Sequence, residues 1–120
     1  MTIRTSVETL PLFVFGTLRR GEANHNCLAG TYDNCLAATL RNFKRAIAEH
    51  GYPAVVRSPG DEVIGELYFI RPDMFAETLR RCDLLEDIPA GELIGRYYQR
   101  ASVVVDTAEG QFAAWAYIAP

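Results

Sequence analysis

Only one stretch of this chain, RPDMFAETLRRCDLLED at residues 71–87, reads plainly as a helix, and it stands among blocks that read as strands. Pro72 suits a first helical turn, and strong helix formers run through Arg81. Around it, LFVFG is a short buried strand running into a glycine, and GYPAVV and EVIGELYFI are strands separated by the breaker RSPGD. YYQRASVVV and QFAAWAYIA close the chain as two strands around a turn at DTAEG. Several strands with one helix specify an α+β sheet or barrel. The stretch NCLAATLRNFKRAIA fits two descriptions: Leu36, Leu40, Phe43 and Ile47 make a helical face, while the neighbouring blocks are strand-like. Periodicity alone leaves both open.

A chain of 120 residues is long enough for one core and too short for two. Residues 1–11 read as an N-terminal tail and 12–120 as a single domain. The net charge of −3, with scattered Lys and Arg, offers no basic stripe for a phosphate backbone, so nucleic acid is not an expected partner. No apolar run reaches membrane-span length, and the polar, acidic lead does not resemble a signal peptide. A cytoplasmic location is the expectation. Cys27, Cys35 and Cys82 are odd in number and lack a close pair, which points to reduced thiols rather than a disulfide framework or a thiolate metal site. Ser6, Ser58 and Ser102 lie in no G-x-S-x-G setting, and His25 and His50 have no zinc-like spacing. Cys27 and His25, two residues apart, carry no sign of facing side chains. Tyr52, Tyr97, Tyr98 and Trp115 read as core or rim aromatics.

Two places carry chemistry. At about 100° per residue, Phe75, Leu79, Cys82 and Glu86 share a narrow arc, so a carboxylate occupies a position where the apolar stripe calls for a hydrophobe. Asp83 and Asp87 point elsewhere. If the helix persists to Glu86, desolvation raises that carboxyl's pKa towards a value suited to proton transfer; if it ends near Asp83, Glu86 is a solvated loop carboxylate. Gly16, directly after a buried strand, lets the backbone approach a ligand, and the N–H groups of Gly16, Thr17 and Leu18 could converge on a carboxylate or carbonyl oxygen. A tight structural turn accounts for the same pattern.

FVFGTLRRGEANH resembles the opening of the gamma-glutamylcyclotransferase-like family, an apolar strand followed by Tyr-Gly-(Ser/Thr)-Leu and often by Lys/Arg-x-Gly-x-x-Asn-His. GYPAVV is similar to the family's Tyr-Pro-hydrophobic step, VIGELYFI to its Gly-Glu-(Leu/Val)-Tyr strand, CDLLED to its Leu-Asp-x-x-Glu, YYQRASVVV to its Tyr-x-Arg-x-x-Val strand, and AWAYI to its last strand. The blocks run in the family's order from Leu12 to Ile118, and the continuation is closest to the gamma-glutamylamine cyclotransferase branch and its bacterial relatives.

The resemblance implies a small mixed β-barrel of roughly six strands with peripheral helices and a cavity at one end, and it turns AATLRNFKRAIA into strand. It implies an intramolecular aminolysis, of lyase or acyltransferase type, that converts a gamma-glutamyl amine or amino acid to 5-oxoproline and free amine, with neither metal nor cofactor. Glu86 falls on the family's catalytic glutamate. Phe15, Gly16, Thr17 and Leu18 fall on its substrate loop, and Tyr98 on a tyrosine that lines the pocket. Three features depart from the pattern: Phe15 replaces the loop tyrosine, Arg81-Cys82 replaces an apolar pair, and IPAGELIG lengthens the segment before Tyr98. The competing expectation is a non-catalytic module that binds a small carboxylate on the same fold. A structural or interaction protein, a third possibility, would present a large exposed apolar face.

Overall fold

The computed structural model describes residues 9–47, 51 and 53–120. Of the expected tail, residues 1–8 lie outside the described residues, as do His50 and Tyr52. Among the described residues, five strands close a barrel in the order β1-β3-β2-β4-β5: β1 is Leu12–Val14, β2 Tyr32–Ile47, β3 Pro53–Ile70, β4 Gln99–Thr107 and β5 Gly110–Ile118. The closing pair is parallel, with Leu12 opposite Trp115 and Phe13 opposite Ala116. Every other pairing is antiparallel, so the barrel is mixed as expected. Helix α1, Phe75–Leu85, follows a short 3-10 turn at Pro72–Met74. Among the described residues, no helix is long and apolar enough to cross a membrane.

Strand period 2 divides the apolar residues between two cores. In β5, Ala114, Ala116 and Ile118 join Phe13, Leu40, Val55, Val63 and Val105 inside the barrel. The alternate residues, Trp115 and Tyr117, face Phe75, Leu79 and Cys82 of α1 together with Leu12 and Val14. Residues Ala114–Ile118 are therefore buried on both faces, which is why this strand reads as a continuous apolar run. The three cysteines are free thiols, and burial pushes the Cys82 thiol up to about 12, leaving it a packed, unreactive group.

The ambiguous segment is strand throughout β2, and its helix-like spacing has a structural cause. The pairing slips between Arg41 and Phe43, where Asn42 takes a left-handed φ of 68°. This bulge inserts one residue, so Leu40 and Phe43, three apart, both point into the barrel. The breaker RSPGD does not separate two strands. Arg41 pairs with Glu62 and Phe43 with Arg57, so Ser58–Asp61 is an excursion within one continuous β3, opposite Asn42. The Asn42 Oδ1 accepts a hydrogen bond of 3.1 Å from the Gly60 N–H, and the Ser58 hydroxyl donates to Asp61. Turn-forming residues are satisfied within the bulge, and the strand resumes.

Gly65 fixes how closely β1 lies on β3. A Cβ there would stand 2.3 Å from the Val14 carbonyl oxygen and 2.8 Å from Cζ of Phe13. Gly65→Ala is expected to destabilise the fold by about 1–3 kcal/mol. Urea unfolding would show it as a lower midpoint at unchanged m-value.

Candidate active site

Strand β1 delivers the chain into a turn whose shape is held from behind. The Arg19 N–H donates to the Gly16 carbonyl at 3.1 Å, and the Asn24 N–H donates to the Thr17 carbonyl at 2.9 Å. The Asn24 side chain donates to Thr17 Oγ1 at 2.9 Å, while His25 Nδ1 donates to the Leu18 carbonyl at 2.9 Å. That bond places a proton on Nδ1, and Nε2 lies 3.4 Å from the Tyr32 hydroxyl. Glu66 secures the next residue, with one carboxylate oxygen accepting from the Arg20 N–H at 2.8 Å and from the Tyr68 hydroxyl at 2.6 Å. Leu18 is buried in the core beneath α1. Gly16 faces open space: among the described residues, only its own chain neighbours lie within 4 Å of where a Cβ would stand. The N–H groups of Gly16, Thr17 and Leu18 donate to no described residue.

The fastening roles of His25 and Asn24 are not visible in the spacing of His25 to Cys27 or to His50. The available signal was spacing, since both side chains reach back seven residues, to Thr17 and Leu18.

Helix α1 brings Glu86 to the same place. It ends at Leu85, and the Glu86 N–H still donates to the Cys82 and Asp83 carbonyls at 3.1 and 3.0 Å. Helical register is thus kept to Glu86, which excludes the solvated-loop alternative and turns its side chain inward after Phe75, Leu79 and Cys82. The carboxylate is half-buried and has no hydrogen-bond or ion-pair partner among the described residues. Desolvation pushes it up to about 7.

Asp83, read from the sequence as pointing away from the arc, is 7% exposed and anchors the helix end. Its carboxylate accepts from Arg100 Nε and Nη2 at 2.8 and 3.1 Å and from the Tyr117 hydroxyl at 2.6 Å. Burial and this carboxylate hold the Tyr117 phenol well above its ordinary pKa, so it stays a donor. The missed signal was a carboxylate one turn before Glu86 together with a lone arginine in a β4 otherwise poor in charge.

A cavity of about 200 Å³ gathers all six residues singled out in the sequence: Phe15, Gly16, Thr17, Leu18, Glu86 and Tyr98. Phe13, Val14, Pro53 and Tyr117 complete its wall. The Tyr98 hydroxyl donates to the Pro53 carbonyl at 2.7 Å, which pins the tyrosine across the mouth. The Phe15 ring packs at 6.1 Å from Phe13 with the Arg45 guanidinium 5.6 Å above it. A neighbouring cavity of about 280 Å³ shares Thr17, Glu86 and Tyr98 and adds Asn24, Leu85, Asp87 and Tyr97. Glu86 therefore stands where two cavities meet. A carboxyl that titrates near neutrality can take a proton and return it with little cost in either direction.

The family model for gamma-glutamyl cyclotransferase, AIG2-like, matches residues 12–120. The chain is 32% identical over 113 residues to the gamma-L-glutamyl-butirosin B gamma-glutamyl cyclotransferase of Niallia circulans, covering 89% of this chain and 65% of that protein. It is 35% identical over 107 residues to the gamma-glutamylaminecyclotransferase of Mus musculus, covering 82% of this chain and 64% of that one. It thus spans slightly less than two thirds of each relative. Among solved structures, YkqA from Bacillus subtilis superposes with a TM-score of 0.68 at 26% identity, over 91% of this chain and 35% of its own.

Proposed function

The chain belongs to the AIG2-like gamma-glutamyl cyclotransferase family, and from that premise we propose that it releases 5-oxoproline from a gamma-glutamyl amine, with Glu86 as the proton carrier. The observation that carries this reading is a half-buried Glu86 carboxylate, without a partner among the described residues, lining the same cavity as the Gly16 turn. At neutral pH the substrate's alpha-amine is an ammonium and cannot attack. Glu86 takes one of its protons, the freed nitrogen forms a bond to the gamma-carbonyl carbon, and a five-membered ring closes. The N–H groups of Gly16, Thr17 and Leu18 stabilise the oxyanion of the tetrahedral intermediate. As the original amide C–N bond breaks, Glu86 returns its proton to the departing nitrogen, and the ring nitrogen's second surplus proton follows by the same carboxylate, so the lactam keeps one N–H and the amine leaves as an ammonium. Nucleophile and electrophile share one molecule, so holding the substrate curled supplies the proximity advantage, and the balance of atoms calls for no further reactant.

The two cavities divide the substrate at its scissile bond. The gamma-glutamyl unit occupies the 200 Å³ cavity and the amine the 280 Å³ cavity. Asn24, Asp87 and Glu86 line the second, and among the described residues no cationic side chain does, which favours leaving amines with no carboxylate beside the scissile nitrogen, a lysine side-chain amide included. The mouse relative's name, for gamma-glutamylamines, agrees with this preference.

Mass-spectrometric detection of 5-oxoproline from gamma-glutamyl-lysine, simple gamma-glutamyl amino acids and glutathione tests the reading. Release is expected to be fastest with the lysine side-chain amide. No release from any of them, with 5-oxoproline still bound, would instead make this a carboxylate-binding module. Because the base form of Glu86 does the work, kcat/KM is expected to fall about tenfold per pH unit below about 7, rather than below the ordinary glutamate range. A pH–rate profile checks it.

A further inference from the structure

On the other side of Asp83 lies a cleft of about 680 Å³ that shares no lining residue with the site above. Its walls are apolar: Phe75 and Leu79 of α1, Trp115 of β5, and Leu93, which is 49% exposed at the rim. Its one deeply seated cation is Arg100, whose side chain is 13% exposed. Arg100 spends Nε and Nη2 on Asp83, and Nη1 has no partner among the described residues. A guanidinium carries five N–H donors, so those on Nη1 stay available to a ligand of the cleft that Arg100 lines. Asp83 has no comparable spare capacity, because three donors already converge on it. The other charged group on the wall, Arg80, is paired with Glu77. A second polar group nearby is also unsatisfied. Arg100 stacks 4.5 Å from the centroid of Trp115, which is 8% exposed and whose indole N–H is buried without an acceptor.

We propose that this cleft is a second binding site, for a small monocarboxylate with a compact apolar body. The carboxylate accepts from Arg100 Nη1, and the apolar body lies against Phe75, Leu79, Leu93 and Trp115. Charge complementarity selects the acid over its neutral analogues, and the apolar walls select it over small polar acids.

Trp115 is the only tryptophan in the chain, so its emission reports on this cleft directly. Cyclohexanecarboxylate, which does not absorb with the indole, is the probe, and cyclohexylmethanol the neutral control. A saturable change in emission is expected with the acid, at an affinity about tenfold or more above that of the alcohol, the scale of a charge-assisted hydrogen bond. Leu93→Glu puts a negative charge at the exposed rim without touching the Arg100 pair, and is expected to weaken the acid about tenfold. No saturable change, equal affinity for acid and alcohol, or unaltered affinity in the Leu93→Glu protein would each overturn the assignment.

Discussion

Glu86→Gln is expected to lower kcat for 5-oxoproline release by about 10²–10⁴-fold, the usual worth of one positioned acid/base group, with KM little changed. Gln keeps the size and polarity of the side chain but cannot carry the proton, so product should still bind. A stability signature separates this outcome from simple damage to the fold. The Glu86 pKa is about 7 in the folded chain against 4.5 for the free group. The folded state therefore binds the Glu86 proton more tightly than the unfolded state. This favours the fold in full below the free value, and the advantage is lost as pH rises through about 7. Above that, the desolvated carboxylate costs up to about 3 kcal/mol. Gln bears no such cost. Urea unfolding should find Glu86→Gln more stable than the parent at pH 8 and equal to it at pH 4. Retained turnover would remove Glu86 from the mechanism; equal stabilities at both pH values would mean that the cavity does not desolvate the carboxyl.

Strand and helix were legible wherever the local pattern agreed with the tertiary environment. Leu12–Val14, Gln99–Thr107 and Gly110–Ile118 are β-rich in composition and strand in fact. The arc from Phe75 to Glu86 is visible because α1 keeps its register through the cap. What misled was local irregularity within long strands. A bulge at Asn42 imitates helical spacing, and a second excursion at Ser58–Asp61 imitates a loop between strands. Both are invisible to a strict period of 2. Asp83 does point away from the arc, but its burial was unseen for a different reason. A helical wheel ranks positions by one buried face, whereas the end of α1 is covered from two sides, by the β1 turn near Glu86 and by β4 and β5 near Asp83. The fastening role of His25 went unseen because sequence spacing alone does not show where a side chain folds back.

The largest loss of stability is expected from breaking the Asp83–Arg100 pair one-sidedly. Arg100→Met removes two of the three donors to a carboxylate that is 7% exposed, leaving it with the Tyr117 hydroxyl alone. An uncompensated buried charge of this kind costs about 3–5 kcal/mol. Asp83→Asn, which keeps an acceptor facing Arg100, should cost less. The double replacement Asp83→Leu with Arg100→Met removes both charges, and desolvation then no longer opposes the fold, so most of the lost stability should return. Activity should not return with it. The Asp83 carboxylate holds Tyr117 against the wall of the 200 Å³ cavity, and an apolar pair offers that hydroxyl no acceptor. Thermal unfolding and 5-oxoproline release, measured on the same preparations, would therefore part company in the double variant. Recovery of both would reduce the pair to packing. Recovery of stability alone would make Asp83 a positioning residue, acting on the cavity through Tyr117 while its backbone carbonyl accepts from the Glu86 N–H at 3.0 Å.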